Sequence, residues 1–411
     1  MKKFFKYLLI VLGVIVLVLG GFAIYINSSG LPTYDTPKID LKVEVTPQRV
    51  ERGRKIANML CRNCHQNPVT KQLTGNLMVD LPKEFGEIHS RNITQHPTKG
   101  IGSWTDGEIA YLLRTGIRRN GKYSPPYMIK LPHVPDEDIY SIIAFLRSDD
   151  PTVQAADVDN IEQQESFLTK VLSRVAFGPF EFPTKKIQIP DSNNKYAYGK
   201  YLSNDLLGCY ACHSADFKKL DDHVPENSGG YFGGGNAMLD YNQRTIYTPN
   251  LTPDKETGIG NWTEEDFVRT MRTGFTPHGK PLRYPMLTEA DLTDGDLRAL
   301  YAFIKTVPAI NNKVPTSVLF DETSDKTQGQ KIFHKYSCQS CHGESGSGFA
   351  NLTQADTKYP TNDILKDVIQ HPKNYLGEST KMLTWAGVIK EEEFEPLCNY
   401  IRELGKKHNK Q

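Results

Sequence analysis

Three stretches decide the fold: Cys61-Arg62-Asn63-Cys64-His65, Cys209-Tyr210-Ala211-Cys212-His213 and Cys338-Gln339-Ser340-Cys341-His342. They repeat one pattern and use six of the seven cysteines in the 411-residue chain. C-x-x-C-H is the attachment signature of c-type haem. Cysteines at i and i+3 lie about one helical turn apart, so their thiols reach the two vinyl groups of one porphyrin. The histidine that follows is carried under the ring, where an imidazole nitrogen can bind the iron.

Two other uses of paired cysteines fit this pattern less well. Disulfides between cysteines at i and i+3 would be strained and would give no reason for a following histidine. A structural zinc needs four ligands, and each motif offers three. The sequence therefore predicts three covalently bound haem c groups. The predicted attachment residues are Cys61, Cys64, Cys209, Cys212, Cys338 and Cys341, and the predicted proximal iron ligands are His65, His213 and His342.

Each motif lies within a longer repeat. A helix-like stretch with one glycine precedes the motif, and an acid-led helical pattern closes the repeat, at 135–148, 293–307 and 390–404. Glycine lets its helix approach another closely. We predict that Gly53, Gly199 and Gly329 are such crossing points and that they meet Phe145, Phe303 and Tyr400.

The first two repeats also share their middle. The blocks 92–94, 100–105 and 114–116 and the residue Met128 recur at 250–252, 258–263, 272–274 and Met286, always offset by 158. The two haem motifs are offset by 148, so the second repeat contains ten additional residues. The glycine-rich run 228–236 is the obvious place for them. The third repeat is shorter and keeps Asn351-Leu352-Thr353.

A second axial ligand is expected from methionine, whose thioether raises the reduction potential. Met128, Met286 and Met382 each stand shortly before the closing helix of a repeat. Met78 and Met238 are rivals, since Gly-Asn-x-Met-x-Asp occurs at 75–80 and at 235–240.

Other residues compete with these methionines or invite a different role. Met59 and Met271 look like helix core. For the third iron, His371 competes with Met382, and a bis-histidine iron would have a lower potential. His96, His133 and His278 are weaker competitors. Cys398 aligns with apolar positions of the other closing helices, which favours a buried core residue over a reactive thiol.

The N-terminus predicts a membrane anchor. Residues 8–25, LLIVLGVIVLVLGGFAIY, carry no charge and approach the roughly 20 residues that a spanning helix needs. Lys2, Lys3 and Lys6 precede them, so the positive-inside bias places the remainder outside the cytoplasmic membrane, in the periplasm. A cleaved signal peptide is the alternative, but Gly21-Phe22-Ala23 is a poor cleavage site.

Composition excludes several classes of protein. The net charge of +1 argues against a nucleic-acid binder that works by bulk positive charge. The mean hydropathy of −0.48 argues against a polytopic membrane protein. We found no dinucleotide-binding, Walker A or catalytic-triad motif, so nothing predicts a built-in dehydrogenase and no catalytic residue is expected.

With these motifs the sequence resembles the membrane-bound three-haem cytochrome c subunits of bacterial periplasmic alcohol, aldehyde and sugar-acid dehydrogenases. The three C-x-x-C-H motifs and the twice-used N-[IL]-T, G-I-G-x-W-T, R-T-G and Met blocks carry the resemblance, which covers nearly all of 46–404. It implies the same proximal histidines, with Met128, Met286 and Met382 as distal ligands. In that family the large partner subunit oxidises the substrate, and the cytochrome passes electrons toward quinone or an oxidase.

We therefore expect a mainly α-helical chain, with three tandem cytochrome c domains after one N-terminal transmembrane helix. The expected segments are an anchor (1–30), unit one (46–150), a linker (151–190), unit two (191–310) and unit three (313–408). The expected function is electron transfer from a periplasmic dehydrogenase subunit toward quinone or a terminal oxidase. The alternatives are a cytochrome module or donor of a terminal oxidase, and a haem peroxidase with one open iron.

Overall fold

The computed structural model describes residues 2–289, 291–315, 327–348, 350–377 and 380–408, and these residues are mainly helical. The first helix, α1 (Lys2–Ser29), contains the one candidate membrane span among the described residues, Lys3–Ser29. Its length and composition suffice to cross a membrane. Nearly all of its large apolar side chains are exposed, and only the last turn packs on the remainder of the protein. This pattern fits membrane anchoring.

Unit one is built from α2 (Pro47–Leu60), α3 (Arg62–His65), α4 (Asp106–Thr115) and α5 (Asp136–Leu146). Unit two has the same order, with α7 (Lys195–Lys200), α8 (Cys209–His213), α9 (Glu264–Thr273) and α10 (Asp294–Ile304). Between α7 and α8 the backbone continues as a π-helix, Tyr201–Leu206, which lengthens the pre-motif helix predicted from the sequence.

The repeated blocks mark helix ends. Thr105 and Thr263, from the Trp-Thr pairs, each form a capping box with the acidic residue three positions later. Gly116 and Gly274, from the Arg-Thr-Gly blocks, end the same helices in the left-handed conformation, with φ of 81° and 78°. The two units therefore share α4 and α9 as equivalent helices with equivalent starts and stops.

Unit three has smaller helices before a long closing one. They are α11 (Gln328–Lys335), α12 (Gln339–His342), α13 (Ala355–Lys358), α14 (Asn362–Gln370), α15 (Pro372–Leu376) and α16 (Glu391–His408). The closing helix runs four residues past the end of the pattern seen in the sequence.

The predicted glycine crossings are confirmed in all three units. A Cβ atom built on Gly53 would lie 1.8 Å from the backbone oxygen of Ser141 and 2.9 Å from the Cβ of Phe145. The equivalent Cβ on Gly199 would lie 2.0 Å from the oxygen of Ala299, beside Phe303. In unit three, a Cβ atom built on Gly329 would lie 2.1 Å from the backbone oxygen of Pro396 in α16, next to Tyr400. The helix that leads into each haem motif is thus locked against the closing helix.

Units one and two share one hydrophobic core, whereas unit three has its own. Buried residues of α2, α5, α7 and α10 belong to one continuous cluster. At its centre Asp138 of unit one, fully buried, pairs with Arg52 and accepts the hydroxyl of Tyr201 from unit two. A second contact joins the Asn58 amide to the Asp291 carboxylate at 3.0 Å. This shared packing holds the first two units as one body.

The segment 151–190 is an ordered connection along unit one. It contains β2 (Gln164–Glu165), which pairs antiparallel with β1 (Gly86–Glu87), and the helix α6 (Phe167–Val175). Short 3₁₀ turns occur at Lys83–Phe85, Phe217–Lys219 and Pro225–Asn227.

A hairpin of unit two joins the three units. Its strands are β3 (Ala237–Leu239) and β4 (Thr245–Tyr247), and its turn follows the glycine-rich run. From this turn Gln243 donates to the backbone oxygen of Val79 in unit one. The Asn242 amide donates to the backbone oxygen of Gln339 in unit three at 3.0 Å. Two adjacent residues of this turn in unit two therefore contact both of the other units.

Candidate haem-binding sites

Each of the three motifs folds into one helical turn of its own, as its spacing predicts. The motifs lie on α3, α8 and α12, with Cys61 and Cys338 at the N-terminal caps of the first and third. The amide of His65 donates to the carbonyl of Cys61 at 2.8 Å, and that of His342 to Cys338 at 2.9 Å. The paired thiols and the imidazole consequently issue from one turn, as attachment to a single porphyrin requires.

Each motif histidine is oriented by a backbone carbonyl. The Nδ1 atom of His65 lies 2.7 Å from the oxygen of Arg91, that of His213 lies 3.0 Å from Pro249, and that of His342 lies 2.6 Å from Ala350. Since a carbonyl can only accept, Nδ1 carries the proton and Nε2 keeps its lone pair for a metal. Burial lowers the pKa of all three imidazoles, and the carbonyls oppose this shift in part. The neutral ligand form is therefore favoured.

The N-[IL]-T block positions that carbonyl, a role that sequence reasoning missed. The three residues whose carbonyls accept these bonds immediately precede Asn92, Asn250 and Asn351. The side-chain oxygen of Asn250 accepts from the amide and the hydroxyl of Thr252, at 2.9 and 2.8 Å. The same pair of bonds joins Asn92 to Thr94 and Asn351 to Thr353. The only signal in the sequence was that Asn-x-Thr recurs in every repeat.

The motif cysteines suit covalent attachment. All six are partly buried free thiols. Burial raises the pKa of Cys61, Cys209 and Cys338 to about 12, so the thiols are neutral before attachment. Cys398 is fully buried in the core of unit three, which confirms its predicted packing role.

A cavity of about 570 Å³ lies in unit three and extends to residues of units one and two, and its volume fits a haem. Cys338, Cys341 and His342 line it together with Met382, while Phe333 and Trp385 provide aromatic walls. Both attachment thiols, a proximal imidazole and a thioether thus face one largely apolar space. The residues present fit the porphyrin, its iron and two axial ligands.

The three methionine candidates lie in loops before the closing helices. Met128 and Met286 each end a turn, donating from the backbone to Pro125 and Arg283, and Met382 follows a turn at Thr380. All three side chains are half-buried. Met286 also lines the cavity, together with Met382, so this part of unit two adjoins unit three.

The other methionines considered as axial ligands belong to helices of the core or to extended backbone. Met59 and Met271 are buried in helices of the shared core, which confirms them as packing residues. Met238 is in β3 opposite Ile246, and the amide of Met78 pairs with Ile88, so both belong to extended backbone.

The competing histidines are also accounted for. His371 and His278 are exposed, and the ring of His96 accepts the amide of Lys99 at 3.1 Å. Burial lowers the pKa of His133, whose ring contacts the backbone of Asp222. These placements favour methionine as the distal ligand.

Asp80 brings negative charge close to two motifs. Burial raises the pKa of Cys64 to about 12 and of Cys212 to about 11, and the Asp80 carboxylate adds to both shifts. The Tyr284 hydroxyl donates to this carboxylate at 2.8 Å. Burial and then Asp80 raise the pKa of Tyr284, and Cys64 and Cys341 contribute further. One carboxylate and one phenol thus lie where the three sites adjoin.

Comparison with known proteins agrees with this chemistry. Residues 196–308 match the cytochrome c family model, and residues 324–401 match the model described as cytochrome C oxidase, cbb3-type, subunit III. These two regions are accordingly similar to cytochrome c domains, a class of domain that binds haem covalently.

More specific similarities come from whole chains. The fructose dehydrogenase cytochrome subunit of Gluconobacter japonicus is 26% identical over 78% of this chain and 68% of its own. The cytochrome c subunit of a quinone alcohol dehydrogenase from Gluconobacter oxydans is 25% identical over 86% of this chain and 78% of its own. The gluconate 2-dehydrogenase cytochrome c subunit of Pantoea cypripedii is 26% identical over 72% and 71%. The chain therefore resembles the cytochrome c subunits of dehydrogenase complexes, which are electron-transfer subunits and not the catalytic ones.

Proposed function

We propose that this protein is a membrane-anchored c-type cytochrome with three haems, which carries electrons from a periplasmic dehydrogenase subunit toward quinone or a terminal oxidase. Units one (46–150), two (191–310) and three (313–408) each form a cytochrome c domain, after the anchor and the 151–190 linker. The covalent attachment sites are the six motif cysteines, and the axial pairs are His65 with Met128, His213 with Met286 and His342 with Met382.

One observation carries this proposal: the same imidazole arrangement occurs three times. In every unit Nδ1 is bonded to the carbonyl before an Asn-x-Thr turn, and Nε2 is left for iron. A histidine that only filled a core would not need this arrangement in each repeat. A bonded Nδ1 fixes the tautomer and raises the basicity of the ligand, as in known metal sites.

The residues of the chain account for directed electron transfer. Haem, when bound, supplies a one-electron couple. The bonded imidazoles hold the proximal side rigid, and the methionine thioethers favour the reduced form. The apolar cores exclude water, which lowers the reorganisation required on electron transfer. The shared core and the β3–β4 turn keep the three sites at fixed separations, which a serial route requires.

The anchor sets the orientation. Lys3 and Lys6 lie at the start of α1 and no acidic residue accompanies them. The positive-inside bias then keeps this end in the cytoplasm and carries the haem units to the periplasmic face of the inner membrane. Electrons delivered there can reach quinone in the bilayer or an oxidase beside it.

A second role has one observation in its favour. The match of 324–401 to a cbb3-type oxidase subunit is compatible with unit three serving as the cytochrome module or donor of a terminal oxidase. The dehydrogenase role is preferred because the matched dehydrogenase subunits cover units one to three together.

The test combines a haem count with identification of partners. The full-length chain is purified in mild detergent from its own membranes, and co-purifying chains are identified by mass spectrometry. We expect a dehydrogenase catalytic subunit in stoichiometric amount and three haems per chain. Replacing Cys61 and Cys64 by Ala should lower the count to two, whereas Cys398→Ala, the matched control, should leave it at three. An unchanged count in the double variant would refute the assignment of the first site.

A further inference from the structure

Helix α6 has the opposite polarity to an ordinary surface helix, because polar side chains face the protein and apolar ones face outward. Its small polar residues point inward, with Thr169 at 3% and Ser173 at 0% exposure. Three of its five large apolar residues point outward, with Phe167 46%, Leu168 42% and Val175 67% exposed, and Val171 and Leu172 are half-buried. A helix packed on a water-soluble body normally shows the opposite pattern. The outward face is therefore suited to an apolar environment.

The helix cannot roll to bury this face, because the body holds its inner side. The Thr169 hydroxyl donates to the backbone oxygen of Phe85 at 2.7 Å, and the Ser166 hydroxyl donates to Glu84 at 2.5 Å. Ser166 also caps the helix by accepting the Thr169 amide at 3.1 Å. Pairing of β2 with β1 fixes the residues just before the helix. The exposed apolar face is consequently a permanent feature of unit one.

The same helix lies against the end of α1. Lys170 donates to the side chain of Asn27 at 3.2 Å, and Arg174 donates to that of Ser29 at 2.8 Å. Ile26, three residues before Ser29, is fully buried, whereas nearly all other described side chains of α1 are exposed. The guanidinium of Arg174 also lies 5.9 Å from the ring centre of Tyr25. The point at which α1 meets the protein body is therefore the position of α6.

This position coincides with the outer boundary of the bilayer. A 28-residue helix is roughly 42 Å long, against a hydrocarbon core of roughly 30 Å. With Lys3 and Lys6 on the cytoplasmic side, Tyr25 to Ser29 reach the opposite headgroup layer. Tyrosine is typical of that layer, and lysine or arginine side chains extend from it toward water.

We propose that α6 is a second membrane contact, and that its face of Phe167, Leu168 and Val175 lies in the interfacial lipid of the bilayer that α1 spans. Phe167, Leu168 and Val175 lie on one side of the helix with the half-buried Val171 between them, so a single stripe enters the headgroup–acyl boundary. The inference rests on the proposed anchoring by α1 and adds an orientation to it. Two contacts side by side fix the tilt of unit one relative to the membrane, which a single helix cannot do.

Photocrosslinking in native membranes tests this contact without removing any part of the chain. The full-length protein carries p-benzoylphenylalanine in place of Val175 or, separately, of Phe167. A variant with p-benzoylphenylalanine in place of Val16, in the middle of α1, serves as the positive control. Phe217 and Tyr375, exposed aromatic positions in units two and three, are the negative controls. After irradiation, adducts are identified by mass spectrometry, and haem absorption verifies that each variant is folded.

The expected result is a phospholipid adduct at positions 167 and 175, in several-fold greater yield than at 217 and 375. A yield at position 175 no higher than at 217, with lipid adducts at position 16, overturns the α6 contact and leaves the anchor intact. An adduct at position 175 to another protein also overturns it and assigns the face to a partner subunit. Absence of lipid adducts at position 16 as well refutes the anchoring on which the inference depends, while the haem spectrum reports separately on whether the haem-binding units are intact.

Discussion

The phenol of Tyr284 in unit two donates a 2.8 Å hydrogen bond to the carboxylate of Asp80 in unit one. Tyr284 is nearly fully buried, and Asp80 is close enough to Cys64 and Cys212 to raise the pKa of both, after the larger effect of burial. A single negative charge therefore acts on two C-x-x-C-H motifs at once, and its partner comes from a different repeat.

Asp80→Asn should raise the reduction potentials of the first two haems. A nearby negative charge stabilises ferric over ferrous iron, so its removal favours reduction. The measurement is a redox titration followed by visible absorbance, with the exposed carboxylate variant Asp149→Asn as control. Potentials that fall, or that change equally in the control, would contradict the placement of this charge.

Gly53→Ala should destabilise unit one by about 3 kcal/mol or more, at the upper end of the usual cost of overpacking. The added methyl group would lie 1.8 Å from the Ser141 carbonyl, and backbone atoms cannot move aside as a flexible side chain can. Urea unfolding followed by haem absorbance measures the effect. Gly295→Ala in α10, where the nearest atom is the Thr293 hydroxyl at 3.5 Å, should be neutral or slightly stabilising. Equal effects in the two variants would disprove the crossing argument.

Asn250→Ala should both destabilise unit two and raise the potential of its haem. Four groups lose a partner: the amide and hydroxyl of Thr252, the Thr257 hydroxyl and the backbone oxygen of Ile310. Of these groups only the Thr252 amide is left unpaired, which costs about 1–3 kcal/mol, because the two hydroxyls and the Ile310 oxygen keep other hydrogen bonds. With its turn loosened, the carbonyl of Pro249 bonds Nδ1 less well, and a less basic imidazole stabilises ferric iron less. Exposed Asn261→Ala is the control, and an unaltered potential would show that the turn does not act on the ligand.

Met382→Leu should allow carbon monoxide to bind the reduced third haem, because leucine fills the space without a sulfur ligand. His371→Asn should have no such effect, since that side chain is exposed. Absorbance difference spectra of the reduced protein with and without carbon monoxide distinguish the two. The reverse outcome would assign the ligand to His371.

Asp205 predicts a pH dependence of stability. Burial, with a further contribution from Glu226, raises its pKa to about 7, above the unfolded value near 4. The folded state then binds more protons than the unfolded state between these values, so this carboxyl lowers stability as pH rises from about 4 to 7. Asp205→Asn should therefore gain stability over the wild type through that range and keep a constant advantage above it. Thermal midpoints at several pH values test this, and a constant difference from pH 4 upward would contradict it.

The sequence was sufficient to predict a structural feature where only one residue type can serve the physical purpose. Gly53 predicted a helix crossing because only a residue without Cβ permits such a contact, and the spacing of Cys61, Cys64 and His65 predicted one helical turn. Cys398 was correctly assigned to the core because it aligns with apolar positions, Ile143 and Tyr301, of the other two closing helices.

Other features could not be predicted because they join residues far apart in the chain. The role of Asn92 depends on the carbonyl of Arg91 reaching a histidine 26 positions earlier, which no local pattern encodes. The turn residue Gln243 bonds to Val79 across 164 positions. The reversed polarity of α6 was hidden because periodicity reveals that a helix has two faces but not which of them points inward.

The main-chain carbonyls that orient the three imidazoles belong to Arg91, Pro249 and Ala350. The side chains of these residues are a cation, a ring and a methyl group, and none of them takes part in the hydrogen bond to the imidazole. Mutation can change the residue at such a position without changing the electronic environment of the metal. The chain can therefore drift at these positions, toward the low identities it has with its relatives, while the backbone keeps the bond that fixes each imidazole.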